Sequence, residues 1–377
     1  NLWAWGYNGY GQLGDGTTDF KNNPSRIKTK TKFTQISAGY SHSLAIDSEG
    51  NLWTWGNNYY GQLGDGTTTD RTSPVQIKQG TKFKQISAGN YHSIAIDSEE
   101  NIWVFGDNEF GQLGDGTTTD RTNPVQIKIG TKFTQISTGI LHSTAIDSEG
   151  NLWTWGLNNI GQLGDGTRIN KTSPIKILDG IKFTQISAGE DHSLAIDNEG
   201  NLWSWGNNDY GQIGDGDSSK TYRYKPVQII KNTKFIQISA GDSYALALDI
   251  NGKLWSWGRN NSGQLGRNGS SSIPAVVKED TKFTQISADD EHSMAIDGGG
   301  NLWAWGYNIC GQLGDGTTTN KSVPVLVKTD KKFIQIAAGD RHSLALDSDG
   351  TIWGWGSNNS WELGIGDNRV YSKELPI

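Results

Sequence analysis

The chain has 377 residues, with 33 Lys and Arg against 40 Asp and Glu, a formal net charge of −7, and one cysteine, Cys310. An acidic balance argues against a duplex-DNA binder, whose affinity rests on neutralising phosphates with basic side chains, and a single thiol allows no intrachain disulfide and no cysteine-based zinc site. No apolar run approaches the roughly 18–20 residues that carry a helix across a bilayer.

Met294 is the only methionine and the chain opens at Asn1 in mid-pattern. We therefore expect a processed, truncated or excised chain, from which any targeting segment has been lost. The lone cysteine suits a reducing compartment and equally a cysteine-poor surface protein, so localisation stays open.

In chain order, Leu2-Trp3-Ala4-Trp5-Gly6 reads as a short strand and Asn8–Gly16 as a glycine-rich turn of the form N-x-x-G-Q-L-G-D-G. A polar loop with Pro24 follows, then two alternating apolar and polar segments, Phe33–Gly39 and His42–Asp47. Such alternation, ending at turn residues, is the signal of half-buried strands. Asp47-Ser48-Glu49-Gly50-Asn51 predicts a tight hairpin whose glycine takes the positive φ such turns need. Leu52–Gly56 repeats the opening strand, and Val75-Gln76-Ile77, after Pro74, predicts an outer-edge strand.

The pattern then recurs with a period of 50, the opening strand returning at Leu52, Ile102, Leu152, Leu202, Leu254, Leu302 and Ile352. Fifteen of the 16 tryptophans fill the W-x-W-G slots, Phe105 takes the remaining place, and Trp361 replaces a loop glycine. Four antiparallel strands per repeat, with no helical periodicity, predict an all-β propeller whose stacked aromatic rings supply the apolar area between blades. One domain spans 1–377, with blades at 32–80, 81–130, 131–180, 181–232, 233–280, 281–330 and 331–377, the last ending at Ile377 in the place of Ile77, and residues 1–31 as a surplus half-blade. That half has three possible fates. It pairs with 331–350 and displaces 351–377, it is left over from a longer array, or it completes a blade in another subunit.

The motifs G-x-N-x-x-G-Q-L-G and A-G-x-x-H-S-L-A-I-D, repeated in register along the whole chain, resemble the regulator of chromosome condensation family. The resemblance implies a seven-bladed propeller but no single function, because that fold serves nucleotide exchange, light sensing, enzyme inhibition and scaffolding. The family's exchange factor for a small GTPase carries a wedge inserted into a repeat, whereas the only insertion here is two residues near 217–224. Light sensing in the family uses Trp and Arg in the G-x-x-H slot. Only Arg341 fits that pattern, so light sensing is not expected.

His42, His92, His142, His192, His292 and His342 occupy one repeat position, with Tyr244 in the seventh. Each belongs to a different blade, which predicts structural hydrogen bonding rather than metal ligation. Asp-Gly turn chemistry explains the G-D-G-T loops without calcium. A nucleophile and its base belong to one site, not to six copies of an adjacent His-Ser pair, so no catalytic residue, cofactor or metal is expected.

Packing forces the same residue at the scaffold positions of every blade and leaves others free, so the slots where the copies disagree are the candidates for binding. Two pairs vary, the x-x of A-G-x-x-H and the x-x of N-x-x-G-Q, and strand alternation puts both at the same end of each blade. Blades one to three carry Tyr40, Tyr59, Tyr60, Tyr91, Phe110, Ile140, Leu141, Leu157 and Ile160 there. Blades four to seven carry Glu190, Asp191, Asp209, Asp242, Asp289, Asp290, Glu291 and Asp340. This predicts a partner-binding face, aromatic on one side and acidic on the other, that suits a basic protein partner. The leading expectation is a protein-binding scaffold. The alternatives are a guanine-nucleotide exchange factor and a structural array subunit assembled through residues 1–31.

Overall fold

The computed structural model describes residues 2–27, 30–217, 219, 221–269, 271–366 and 372–377. Among them there is no helix. The chain forms seven four-stranded antiparallel sheets, the blades of a β-propeller, preceded by one two-stranded sheet. The two-stranded sheet pairs β1 (Trp3–Gly6) with β2 (Lys21–Arg26). Blade one follows in the order β3 (Phe33–Ala38), β4 (His42–Asp47), β5 (Leu52–Gly56) and β6 (Arg71–Ile77), each strand bonded to the next. Blades two to seven repeat this order over 83–127, 133–177, 183–229, 235–277, 283–326 and 333–373.

The chain divides into two compact units, residues 1–188 and 189–377. In the first unit, Ile94, Ile96, Ile102 and Val104 of blade two pack on Phe133, Ile136, Ala145 and Trp155 of blade three. In the second, Leu246, Leu248 and Leu254 of blade five pack on Phe283, Ile286, Ala295 and Trp305 of blade six. The alternation of each strand thus buries one apolar stripe against the neighbouring blade, and each fully buried large side chain contributes about 1.5–3 kcal/mol.

Two local devices recur along the chain. At the hairpin after β4, Asp47 accepts the backbone N–H groups of Glu49 and Asn51, the Asn51 amide, and Trp53 Nε1 at 2.8 Å. Burial alone would raise this carboxyl, but the hydrogen bonds from Asn51 and Trp53 outweigh it and hold the pKa below the usual range. In the glycine-rich turn, Asn58 Oδ1 accepts the Leu63 N–H, while its amide donates to Asp65 and to the Thr67 and Thr69 carbonyls. Gly61 has φ 76°, and a Cβ there would come within 2.8 Å of Thr122 Cα, so both backbone and space require glycine.

The structure corrects three sequence expectations. The outer strand begins before the proline rather than after it. Arg71 pairs with Gly56 and Val75 with Thr54, and the register shift between them accommodates Ser73 and Pro74. In blade seven, Ile377 exchanges backbone hydrogen bonds with Gly354, so it stands where Val75 stands in blade one, not where Ile77 does. Finally, β1 pairs with β2, while His342–Asp347 pairs with Ile352–Ser357, which pairs with Ser372–Lys373. Blade seven therefore keeps its own outer strands, and residues 1–31 do not displace 351–377.

The two-stranded sheet instead lies against blade one. Trp55 Nε1 and Ser43 Oγ both donate to the Gln12 carbonyl, at 2.8 and 3.0 Å. The same pair of bonds joins Trp155 and Ser143 to Gln112. What the half-blade lacks is its inner strands, and Ile36 of β3 is 66% exposed where its counterparts Ile86 and Ile136 are buried.

Candidate binding surfaces at one end of the blades

The two variable loops of each blade are joined directly. The residue after the W-x-W-G glycine donates its N–H to the residue before the repeat histidine: Asn57 to Ser41, Asp107 to Tyr91 and Leu157 to Leu141 in the first unit. Asn207 to Asp191, Arg259 to Ser243, Tyr307 to Glu291 and Ser357 to Arg341 repeat it in the second. Within each blade, both loops therefore share one end, as the alternation predicted. The aromatic candidates belong to the first unit and the acidic ones to the second.

In the first unit four tyrosines are in ring contact. Tyr59 meets Tyr60 edge-on at 4.9 Å, Tyr60 meets Tyr91 at 5.3 Å, and Tyr91 meets Tyr40 at 5.8 Å. Tyr40 and Tyr59 are each 72% exposed, whereas Tyr60 and Tyr91 are half-buried. Phe110, Ile140, Leu141, Leu157 and Ile160 are also half-buried, so the open part of the aromatic side is narrower than expected from sequence. Asp107, a residue outside both variable pairs, borders the cluster. Burial raises its carboxyl and the charge of Asp120 adds to the effect, while the Tyr60 phenol is raised by burial first and then by both aspartates.

In the second unit the carboxyls of successive A-G-x-x-H loops crowd one another. Asp242 is pushed up to about 8, first by burial and then by the charge of Asp290, with Glu190 and Asp289 adding to it. Asp289 is pushed up to about 7 by burial, then by Asp290 and Asp340. Glu190 is raised by burial and by Asp191 and Asp290, and Asp191 by burial and by Asp209. Two of the expected acids are less available. Glu291 is held by Arg259 at 2.8 Å, and Asp340 lies 3.8 Å from Arg341.

His42, His92 and His292 link neighbouring blades through a serine hydroxyl. Nε2 of His92 lies 3.1 Å from Ser143 Oγ, and that hydroxyl donates to the Gln112 carbonyl. Across blades five and six, Tyr244 fills the histidine slot, its hydroxyl donating to the His292 carbonyl and accepting from Ser293. Burial pushes His42 and His192 down to about 4 and His92 and His292 to about 3, while His342 is also lowered. Among the described residues no group of three or more His, Cys, Asp or Glu is arranged to hold a metal ion. The G-D-G-T aspartates are taken up by local bonds, Asp65 accepting from Thr67 and pairing with Arg71.

Sequence reasoning drew only Leu157 from a third variable slot, the residue between the W-x-W-G glycine and the turn asparagine. It holds Asp107 and Arg259, the first bordering the tyrosines and the second holding Glu291. Disagreement among copies was the available signal, since Tyr7, Asn57, Asp107, Leu157, Asn207, Arg259, Tyr307 and Ser357 all occupy that place. The lysines at the other end of the blades are also engaged. Lys78 lies 4.2 Å from the Trp103 ring and Lys128 4.3 Å from that of Trp153.

Comparison with known proteins gives one consistent answer. The model for an RCC1-like domain matches residues 1–234, and two models for the regulator of chromosome condensation (RCC1) repeat match 251–296 and 299–346, and 235–264, 283–312 and 333–360. The chain is 40% identical over 50 residues to the ultraviolet-B receptor UVR8 of Arabidopsis thaliana, a match spanning 13% of this chain and 11% of that receptor. Human WBSCR16 superposes with a TM-score of 0.74 at 22% identity, covering 91% of this chain and 97% of its own. Prp20p of Saccharomyces cerevisiae superposes with a TM-score of 0.73 at 24% identity, covering 91% and 90%. These two structural likenesses establish the fold.

Proposed function

The chain belongs to the regulator of chromosome condensation repeat family, and within it we propose a non-enzymatic module that holds a basic segment of a protein partner on its variable loops. The observation that carries this reading is the burial of Glu190, Asp242 and Asp289 beside one another and beside Asp290: burial first, and then their mutual charge, disfavours the charged carboxylates and keeps protons on Asp242 and Asp289 near neutral pH. A Lys or Arg side chain placed among them replaces those protons and relieves the repulsion. The tyrosine cluster beside Asp107 offers the same kind of partner aromatic faces for cation–π contact and apolar stems. Prp20p, a protein of the same fold, is described by its binding to Gsp1p and histones, which fits a protein-binding use of the scaffold. Nucleotide exchange on a small GTPase rests on family likeness alone and is not adopted.

The test is binding of a fluorescent Lys- and Arg-rich peptide by anisotropy. Asp289→Lys with Asp290→Lys should weaken it at least about tenfold, as loss of buried charge pairing commonly costs 2 kcal/mol or more. Tyr59→Ala with Tyr60→Ala should weaken it less. Capture unchanged by both pairs of substitutions would sink the proposal.

A second reading, assembly of copies through residues 1–31, is supported by the half-blade itself. Trp3 of β1 is 46% exposed and Ile36 of β3 66%, while the counterparts of Ile36 in blades two and three are buried. Uncovered apolar strand faces of this kind invite a covering partner. Sedimentation of the chain with and without residues 1–31 tests it. A monomer at all concentrations in both forms ends this reading.

A further inference from the structure

We propose that the row of tyrosines where blades one and two meet is a docking site for a proline-rich peptide with a basic flank. The ligand class follows the protein-binding reading above, on which this rests, but the site is the first unit's tyrosines rather than the second unit's carboxyls.

Three loops build the row. Tyr40 lies in the A-G-x-x-H loop of blade one, Tyr91 in that of blade two, and Tyr59 and Tyr60 in the glycine-rich turn of blade one. Tyr91 touches both neighbours, with ring centroids 5.8 Å from Tyr40 and 5.3 Å from Tyr60, and Tyr59 follows at 4.9 Å. Successive ring planes are inclined by 60°, 51° and 83°, so the row is ridged rather than flat. Its backbone is anchored. Tyr40 donates its N–H to the Asn90 carbonyl at 3.3 Å, Asn57 to that of Ser41 at 2.9 Å, and Tyr60 to Gln62 Oε1 at 2.9 Å. Tyrosine also has little rotamer freedom to lose when a ligand settles on it.

A polyproline II helix matches this surface. It advances roughly 6 Å in two residues, close to the spacing of the rings. Its pyrrolidines pack on aromatic faces, and its carbonyls, which have no internal donors, accept from phenol hydroxyls. The basic flank follows from the charge around Tyr60. Glu109 and Asp120 of blade two are exposed carboxylates beside the buried Asp107, and the charges of Asp107 and Asp120 both act on the Tyr60 phenol, after burial itself. An Arg or Lys next to the prolines meets these acids, which favours a cationic peptide over a neutral sugar. Single-stranded nucleic acid, which also stacks on aromatic rings, is repelled by the same acids. An added β-strand has no edge to pair with, because strand ends meet in these loops.

The test is fluorescence anisotropy on the full chain with labelled dodecaproline, alone and with two arginines at one end. Dodecaproline should bind with a Kd below about 1 mM, and the arginines should tighten it about threefold. Tyr40→Asn with Tyr91→Ser installs what the other blade carries at each place, Asn90 and Ser41, so the scaffold tolerates both. The pair should weaken dodecaproline binding at least about tenfold, with the unfolding transition confirming the folded state. Glu109→Gln with Asp120→Asn, the latter matching Asn170 of blade three, should abolish the gain from arginine and leave dodecaproline binding unchanged. Asp289→Lys with Asp290→Lys should also leave dodecaproline binding unchanged. Loss of a proline-free Lys- and Arg-rich peptide alone would defeat the carboxyl site and spare this one. No binding of dodecaproline overturns the proposal, as does full binding to the Tyr40→Asn, Tyr91→Ser variant. So does equal affinity for a Gly-Ser repeat bearing the same arginines, or tighter binding of cellohexaose or a thymidine dodecanucleotide.

Discussion

Nε2 of His42 lies 3.0 Å from Ser93 Oγ, and that hydroxyl in turn donates to the Gln62 carbonyl. Because the serine proton is committed, the imidazole must donate from Nε2, which leaves Nδ1 unprotonated and, in this structure, without a partner. The neutral tautomer is thereby selected, and His92 with Ser143 and His292 with Ser343 repeat the arrangement. At His192 the corresponding residue of blade five is Ala245, which offers no hydroxyl. Ser93→Ala should therefore cost about 1–3 kcal/mol, by stranding a buried donor. Ala245→Ser should be neutral or stabilising by about 1 kcal/mol, since Tyr244 and Ala245 leave the Gln212 carbonyl free to accept a second donor beside Trp257. Urea unfolding of both variants measures the pair, and a neutral Ser93→Ala would refute the link's structural weight.

The acidic loops and the histidines make stability depend on pH with opposite signs. Asp242 and Asp289 have folded pKa values raised to about 8 and 7, above the roughly 3.9 of an unfolded aspartate. Their contribution is complete below the unfolded value and is lost as pH rises through 7 to 8. The buried histidines are lowered to about 3–4 from roughly 6.5 when unfolded, so their contribution is lost as pH falls below 6.5. Thermal unfolding should show a maximum near pH 6 and a decline on the alkaline side. Asp242→Asn with Asp289→Asn should flatten that alkaline decline and leave the acid limb intact. An unaltered alkaline limb would mean that burial and mutual repulsion do not hold these carboxyls neutral in the folded chain.

Trp155 combines complete burial with an Nε1 donor to Gln112 at 2.8 Å. In blade two the same slot holds Phe105, equally buried and without that donor. The natural exchange predicts a graded result. Trp155→Phe should cost about 1–2 kcal/mol, because Ser143 still donates to the Gln112 carbonyl. Trp155→Ala should cost about 3–5 kcal/mol, through the cavity left between blades two and three. Equal losses in denaturant unfolding would show that the indole hydrogen bond, not the ring, carries the slot.

The strands were readable from sequence because each repeats one burial solution. In His92–Asp97 the side chains of Ile94 and Ile96 face the next blade, and the period-two pattern reports it. The proline strand was misread because Pro74 breaks the ladder locally, and only the paired register reveals the shift that hides it. The binding residues were readable in part. Tyr40, Tyr59, Asp242 and Asp289 stand in slots where the copies differ, and difference marks freedom from packing. The pairing of Glu291 with Arg259 was not readable, because it joins loops of two blades that lie 32 positions apart in the chain.

If a basic segment docks among the carboxyls of the second unit, its binding must be linked to protons. Near pH 7, Asp242 and Asp289 are partly protonated, because burial and Asp290 disfavour their charged forms. A bound Arg or Lys favours the charged carboxylates, so the two pKa values fall and protons leave. Calorimetric titration with an Arg-rich peptide at pH 7, in buffers of different ionisation enthalpy, should report net proton release. The release should shrink toward zero at pH 9, where the carboxyls are already charged, and affinity should rise from pH 6 to pH 8. Screening should weaken binding as salt increases, with Asp242→Asn and Asp289→Asn reducing both the proton count and the salt slope. Binding at pH 7 with the same heat in every buffer would show that the peptide sits elsewhere.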